Sequence, residues 1–371
     1  MEFFVQRSDL VNELELVQEG VERKASIPVL SHVLVEAAEF ALRVTATDLE
    51  LGVRSKCLAK VRSDGACVLP AHCLRELARS LPEAEIHLKS LENEYVQLSC
   101  ARSTFKLVGM PKDRYPELPV IPKPQAKVPA GTLKGLIERT RFAASDQEGR
   151  YTLNAALLLL APDSIAMVAS DGTRLALAKR AAQLPELARD TRLLIPKKAI
   201  LALHRLVASA GEGSNVEIAQ DERHWFFSAG DRVVIARKLT GNYPNYEAVL
   251  PRDNGRVIEV AKDGFRAALQ RVSLLAKEGQ RAVRLSMDKG RLELSSSGGE
   301  YGEAVETMDI QYQGEPLQIT FNQHFLDDFL GTLKEAEGVR LEMKDSQSAT
   351  ELRPAADDNY LYRYILMPLR S

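Results

Sequence analysis

A short apolar strand followed at once by an amphipathic helix begins near Phe3, Val68, Val128, Leu193, Val257 and Leu317, roughly every 60–65 residues, the spacing of a repeat-built chain. The helical stretches place apolar residues three and four apart on one face only. Leu74, Leu77, Ala78 and Leu81 do so, as do Leu133, Leu136 and Ile137, and again Phe265, Ala268, Leu269 and Val272. Ser8, Asp263 and Asn322 stand where a helix N-cap would satisfy free backbone N–H groups. After each helix the apolar period drops to two. Val283, Leu285 and Met287 alternate up to Asp288-Lys289-Gly290, and Leu292 and Leu294 resume beyond that turn. Turns of the same kind are expected at Glu92-Asn93-Glu94 and Asp221-Glu222-Arg223. Each unit reads strand, helix, small antiparallel meander.

A lone unit of ~62 residues buries too little surface to be secure, so units are expected to pair. The Pro-rich stretches Tyr115 to Pro124 and Tyr243 to Pro251 fall close to one third and two thirds of the chain, where rigid, poorly pairing residues suit seams. The expectation is an α+β chain of three tandem similar domains, 1–125, 126–251 and 252–371, each a pair of strand-helix-meander repeats.

The chain has 371 residues, 45% apolar and 27% charged, the balance of an ordinary globular protein. The longest apolar run, Ala155 to Ala161, is far short of a membrane span, and MEFFVQRSDL is no secretory leader, so a cytoplasmic location is expected. Cys57, Cys67, Cys73 and Cys100 form no close pair and are expected to be free thiols. Neither GxxxxGK[ST] nor a strand-borne GxGxxG is present, and the six histidines lack paired-ligand spacing. Ser170-Asp171-Gly172 is the best candidate for nucleophilic chemistry. It has no GxSxG elbow and no histidine cue, and reads as a turn closing a strand. No catalytic residue, metal or cofactor is assigned, which disfavours an enzyme and leaves a DNA-binding protein or a protein-binding scaffold.

Lys and Arg number 49 against 51 Asp and Glu, for a net charge of −2. The distribution is uneven: the six helical windows sum to +4 although the first is −4, leaving −6 elsewhere. Helices gathered on one side of a repeat array would offer phosphates a positive face.

Taken in order, IPVL at Ile27, TDLE at Thr47, VLPAH at Val68, YPELP at Tyr115, GRYTLN at Gly149, ASDGTRLA at Ala169, IPKKAI at Ile195, YPNYEAVLP at Tyr243 and MPLR at Met367 resemble the bacterial beta sliding clamps, the DNA polymerase III beta subunits. The resemblance spans the whole chain. It implies the DNA clamp fold, and a head-to-tail homodimer that closes a six-domain ring with helices lining a hole for duplex DNA. Such a processivity factor holds DNA topologically and without sequence readout. It tethers the replicative polymerase, the clamp loader and other proteins that carry short hydrophobic peptides.

By position, the resemblance places DNA-facing residues at Arg23, Lys24, Gln147, Tyr151, Lys197 and Lys198, with His72 where a basic residue is common. It places a partner-peptide groove at Leu153, Ser170, Gly172, Thr173, Arg174, Leu175, Pro244, Val249, Ile365, Met367, Pro368 and Leu369. Thr173 stands where histidine is common and Ala248 where arginine is common, so peptide preference is expected to differ from that of other members. The subunit contact is implied at Phe105, Leu107, Leu274 and Leu275, with Arg102 and Lys106 facing Glu300, Glu303 and Glu306.

Overall fold

A computed structural model of the chain describes residues 1–22, 26–147, 149–150, 152–187, 189–211, 213–276, 281–298, 302–356 and 359–369. The first third runs β1 (Glu2–Gln6), α1 (Arg7–Val17), β2 (His32–Ala38), β3 (Ala41–Thr47), β4 (Leu51–Leu58), β5 (Lys60–Ser63), β6 (Gly65–Pro70), α2 (Ala71–Ser80), β7 (Glu85–Ser90), β8 (Tyr95–Cys100) and β9 (Ser103–Val108). The middle third runs β10 (Ala126–Pro129), α3 (Ala130–Thr140), β11 (Ala155–Ala161), β12 (Ser164–Ser170), β13 (Arg174–Ala181), β14 (Thr191–Pro196), α4 (Lys197–Ser209), β15 (Asn215–Gln220), β16 (His224–Ala229) and β17 (Arg232–Arg237). The last third runs β18 (Arg256–Ala261), α5 (Lys262–Ser273), β19 (Ala282–Asp288), β20 (Arg291–Ser297), β21 (Glu303–Asp309), β22 (Leu317–Asn322), α6 (Gln323–Thr332), β23 (Gly338–Met343), β24 (Thr350–Pro354) and β25 (Leu361–Leu366). A strand leads directly into a helix six times, at the six places where the apolar period changes in the sequence.

The helices begin differently from the sequence expectation. Asn322 does cap α6, its side chain accepting from the His324 N–H at 2.9 Å. Gln6 and Ala261 hold the N-cap positions of α1 and α5 without side-chain caps. The strand runs straight into the helix, which moves Ser8 and Asp263 inside the first turn. The Ser8 N–H is satisfied instead by Glu83, reaching across from beyond α2 at 3.0 Å.

By contact the chain divides into two compact units, where the sequence suggests three domains. The first comprises Met1–Lys134, Pro185–Leu187 and Ile195–Lys238; the second comprises Gly135–Leu184, Ala188–Leu194 and Leu239–Ser371. The reason is sheet continuity. In the first unit an eight-stranded sheet of order β10-β15-β16-β17-β4-β3-β2-β6 joins strands of the first and middle thirds, with β17 and β4 antiparallel from Ala236↔Leu51 to Val233↔Arg54. In the second unit the order β14-β11-β12-β13-β25-β24-β23-β18 repeats the pattern, with β13 and β25 paired from Arg174↔Leu366 to Lys179↔Leu361. A boundary read from the sequence thus crosses an unbroken hydrogen-bond ladder.

Each unit also holds a smaller sheet, β5-β1-β7-β8-β9 in the first and β21-β20-β19-β22 in the second. Helix α1 lays Leu10, Leu14 and Val17 against β4 and α2, and α5 packs Phe265, Leu269 and Val272 against α6 and β20. Each fully buried leucine or phenylalanine contributes about 1.5–3 kcal/mol. One charge lies among them: Glu13 of α1 is buried and accepts from Arg232 of β17, so the pair ties the two thirds that share this sheet. No described helix is long and apolar enough to cross a membrane.

Candidate functional site

The connection from β12 to β13 is built by one aspartate. Asp171 Oδ1 accepts from the Thr173 N–H at 2.8 Å, the Arg174 N–H at 3.0 Å and the Thr173 hydroxyl at 2.6 Å. Ser170 Oγ accepts from the Gly172 N–H at 3.1 Å and donates to the Arg174 carbonyl at 2.7 Å. Gly172 sits at φ +93°, a conformation natural to glycine. The hydroxyl of Ser170 is therefore committed to the turn, as the sequence reading of Ser170-Asp171-Gly172 has it.

Arg174 fixes this turn from behind. Its Nε donates to Asp171 Oδ2 at 2.9 Å, Nη1 to Asp328 at 2.6 Å and Nη2 to the Phe142 carbonyl at 2.8 Å. The guanidinium lies 4.2 Å from the centroid of the Phe325 ring, and its side chain is only 10% exposed. Beneath it, burial pushes the Tyr364 hydroxyl pKa well above the usual phenol range, so Tyr364 remains a neutral donor to the Phe325 carbonyl.

In front of the turn lies a cavity of about 190 Å³, wholly within the second unit. Leu153, Ser170, Gly172, Thr173, Arg174, Leu175, Pro244, Val249, Ile365 and Met367 all line it, ten of the twelve groove residues read from the sequence. Its floor is the cluster of Leu157, Ala166, Val168, Leu175, Leu177 and Ile365. The Met367 N–H donates to the Thr173 carbonyl at 2.9 Å, which holds the C-terminal segment along one wall. Val249 and Met367 are exposed there, so the groove presents apolar surface to solvent with little apolar cover of its own. Pro368 and Leu369 do not line the cavity; Leu369 turns away to donate to the Thr320 carbonyl at 2.8 Å. Tyr243, Asn245, Tyr246 and Ala349 do line it and were not read from the sequence as groove residues.

The first unit carries the same turn at Asp48, whose Oδ1 accepts from the Glu50 N–H at 3.0 Å and the Leu51 N–H at 2.6 Å, with Leu49 at φ +76°. The two sheets place Gly52 beside Ile235 where the second unit places Leu175 beside Ile365. Leu118 fills the space over Gly52: a Cβ there would meet Leu118 Cδ2 at 2.7 Å. Leu118 and Ile121 pack on Ala219, Phe226, Val233 and Ile235. The same framework is thus covered by the chain's own segment in one unit and left with a cavity in the other.

Of the DNA-facing candidates, Arg23, Lys24 and Tyr151 lie outside the described residues. Gln147 is exposed, with its N–H donating to Ser145 Oγ at 3.1 Å. Lys197 and Lys198 open α4, directly after its N-cap Pro196. Cations at a helix N-terminus oppose the macrodipole, at roughly 0.3–1 kcal/mol each, so helix stability does not account for them. Lys198 pairs with Asp48, and together with the exposed His72 and the half-buried Arg75, itself bonded to Glu76, it lines a cavity of about 610 Å³ in the first unit. The helical positive charge is less free than the count suggests: Arg205 pairs with Glu19 at 3.1 Å, Arg266 with Asp327 at 2.7 Å, and Arg271 with Glu306.

The smaller sheets end in free edges, β9 in the first unit and β21 in the second. Phe105 is half-buried and Leu107 is buried in its own core, while Val108 beside it is 61% exposed. At the other edge Val305 is 61% exposed, Leu274 at the end of α5 is 80% exposed, and Leu275 is half-buried. The charges expected to meet across these edges are partly committed already. Glu306 is held by Arg271, Lys106 lies over the Tyr95 ring at 4.1 Å, and Glu300 lies outside the described residues; Glu303 and Arg102 are exposed. Burial, more than nearby acids, pushes the Cys57 thiol up to about 12, and burial does the same for Cys67, which leaves little of the reactive or metal-binding thiolate. Among the described residues no cluster of His, Cys, Asp or Glu is placed to hold a metal ion.

Comparison with known proteins identifies the family to which this fold belongs. Three domain families described as the N-terminal, central and C-terminal domains of the DNA polymerase III beta subunit match residues 1–119, 127–245 and 247–370. The beta sliding clamp of Pseudomonas putida is 33% identical over the full length of both chains, and that of Caulobacter vibrioides 32%. Among solved structures, a sliding clamp from Pseudomonas aeruginosa bound to griselimycin superposes with a TM-score of 0.89 at 32% identity over 100% of both chains. One from Bacillus subtilis gives 0.88 at 28% identity, covering 100% of this chain and 99% of that one. The chain belongs to the family of bacterial beta sliding clamps, the accessory beta subunits of DNA polymerase III.

Proposed function

We propose that this protein is a processivity clamp that pairs head to tail with a second copy, encloses duplex DNA in the resulting ring, and tethers polymerases and other DNA-handling proteins by short hydrophobic peptides held in the groove of its second unit. The observation that carries the reading is the unfinished sheet pattern. Both eight-stranded sheets join a four-strand block ending in β17 or β25 to a block ending in β4 or β13. The smaller sheets supply one block of each kind; their ends are β5 and β9 in one and β21 and β22 in the other, and of these β9 corresponds to β17 and β25, and β21 to β4 and β13. Edge strands are stable when paired, so joining β9 of one copy to β21 of the next completes a third sheet of the same design, and two such joints close a ring. The exposed Val108, Val305 and Leu274 supply apolar surface at the joint.

Inside such a ring, phosphates are met loosely by Lys197, Lys198, Gln147 and, by position, Arg23, Lys24 and Tyr151. Topology supplies retention and electrostatics supplies a salt-dependent, sequence-independent attraction. In the groove, Leu175, Val249, Ile365 and Met367 provide affinity, Met367 adapts to varied side chains, and Gly172 lets a peptide backbone approach the turn. The proposed domain limits remain 1–125, 126–251 and 252–371. The test is topological: the protein is loaded onto a primed circular DNA by a bacterial clamp loader with ATP, and the circle is then cut once. The reading predicts retention on the circle and rapid loss from the linear product. Equal retention on both forms would mean ordinary binding and would overturn it.

A further inference from the structure

A second cavity, of about 570 Å³, adjoins the groove on the same sheet of the second unit. The two are neighbours: Tyr246 lines both, and Leu177 of the groove floor reappears in the wall of the second with Leu159 and Leu250. The character changes along the way, because Lys179, Arg192 and Arg252 stand around the second cavity. All three are exposed, and their side chains make no hydrogen bond or ion pair among the described residues. Arg363, also in the lining, is already committed to Glu351 by bonds of 2.7 and 2.6 Å. Two carboxylates share the cavity, Asp190 and Glu247, the latter accepting from the Tyr246 hydroxyl at 3.4 Å. The unpaired cations therefore outnumber the acids. Burial and Glu247 push the Tyr246 hydroxyl pKa up and Arg192 acts against them, which places the Arg192 charge within electrostatic reach of the residue shared by both cavities.

We propose that this second cavity seats the carboxylates of acidic residues adjoining the apolar anchor of a docked peptide, so that the partner sequence this clamp prefers is an apolar anchor followed or preceded by Asp or Glu. The proposal rests on the groove being the peptide site. Three exposed cations give modest, salt-screened contributions that add to the apolar anchoring, and they act mostly on partner choice.

The test uses fluorescence anisotropy with three labelled peptides on the full-length protein. One carries two leucines and a phenylalanine between serines; the other two add three aspartates before or after that anchor. The expected result is that the anchor alone binds and that one extended peptide binds about threefold to tenfold tighter at low salt, an advantage lost by 0.5 M salt. In the R192E/R252E variant the anchor peptide should bind as before while the advantage of the extension disappears, which also shows that the variant is folded. Anchor binding with no gain from either extension, or a gain that survives in the variant, would overturn the proposal while leaving the groove intact. Absence of anchor binding to the unmodified protein would overturn the groove reading and this proposal with it.

Discussion

Gly172 concentrates the groove's dependence on single residues. Its φ of +93° disfavours any side chain, and an added Cβ would lie 3.3 Å from Arg150 Nη1 and 3.9 Å from Leu153 Cδ1 at the groove wall. Gly172→Val should therefore cost about 1–2 kcal/mol of stability from the backbone alone and weaken peptide binding well beyond tenfold, measured by thermal melting and by titration. Unchanged binding would place the peptide elsewhere. The turn in this wall was legible in the sequence because the chemistry of Ser-Asp-Gly is local, whereas its place in a groove was implied only by the resemblance to the family. Tyr246 and Ala349 were not legible, since one lies in a Pro-rich stretch that reads as a seam and the other in a polar run before β24, and only the tertiary fold brings them together. Likewise, the strand pairing that puts Gly52 and Leu175 at equivalent places is not local, yet the missing side chain at Gly52 is what lets Leu118 cover that sheet.

At the scale of elements, apolar periodicity placed all six strand-helix units, while the helix starts and the ion pairs escaped it. Ser8 and Asp263 look like caps in sequence, but the strands before α1 and α5 end at Gln6 and Ala261, which puts both residues inside the first turn; only at α6 does the last strand residue, Asn322, carry a capping side chain among these three. Asp327 of α6 accepts two bonds from Arg266 of α5, at 2.7 and 3.2 Å, and one from Gln270 at 3.0 Å. The Arg266 bonds hold its carboxyl below the ordinary aspartate range, against a smaller opposing effect of burial. A carboxyl with a depressed folded pKa contributes stability above its unfolded value of about 4 and loses it as pH falls through the folded value. Asp327→Asn should therefore lower stability at pH 7 by about 1 kcal/mol or less, given a partly exposed pair. It should also flatten the decline in melting temperature below about pH 4; an equally steep acid decline in the variant would show that this pair is not the source. At the free edge, Leu274→Glu alters a residue already 80% exposed, so the fold should be unaffected. Its expected effect is on assembly, with light scattering giving the mass of one chain; a persistent two-chain mass would remove Leu274 from the joint.

For the whole molecule, the sequence suggests three domains, and three domain families match it, yet contacts divide the chain into two units. The difference is physical: each seam is a continuous antiparallel ladder, and no residue pattern marks which edge strand will find which partner. The same logic makes assembly the central claim, because the β9 and β21 edges are the places where this chain's sheet pattern is left unfinished. The most direct test is single-particle imaging of the purified protein. The account predicts closed two-chain rings with an open centre, in which the β9 edge of each copy continues into the β21 edge of the other. Single chains or open pairs, with those edges unpaired at concentrations where the protein functions, would contradict it.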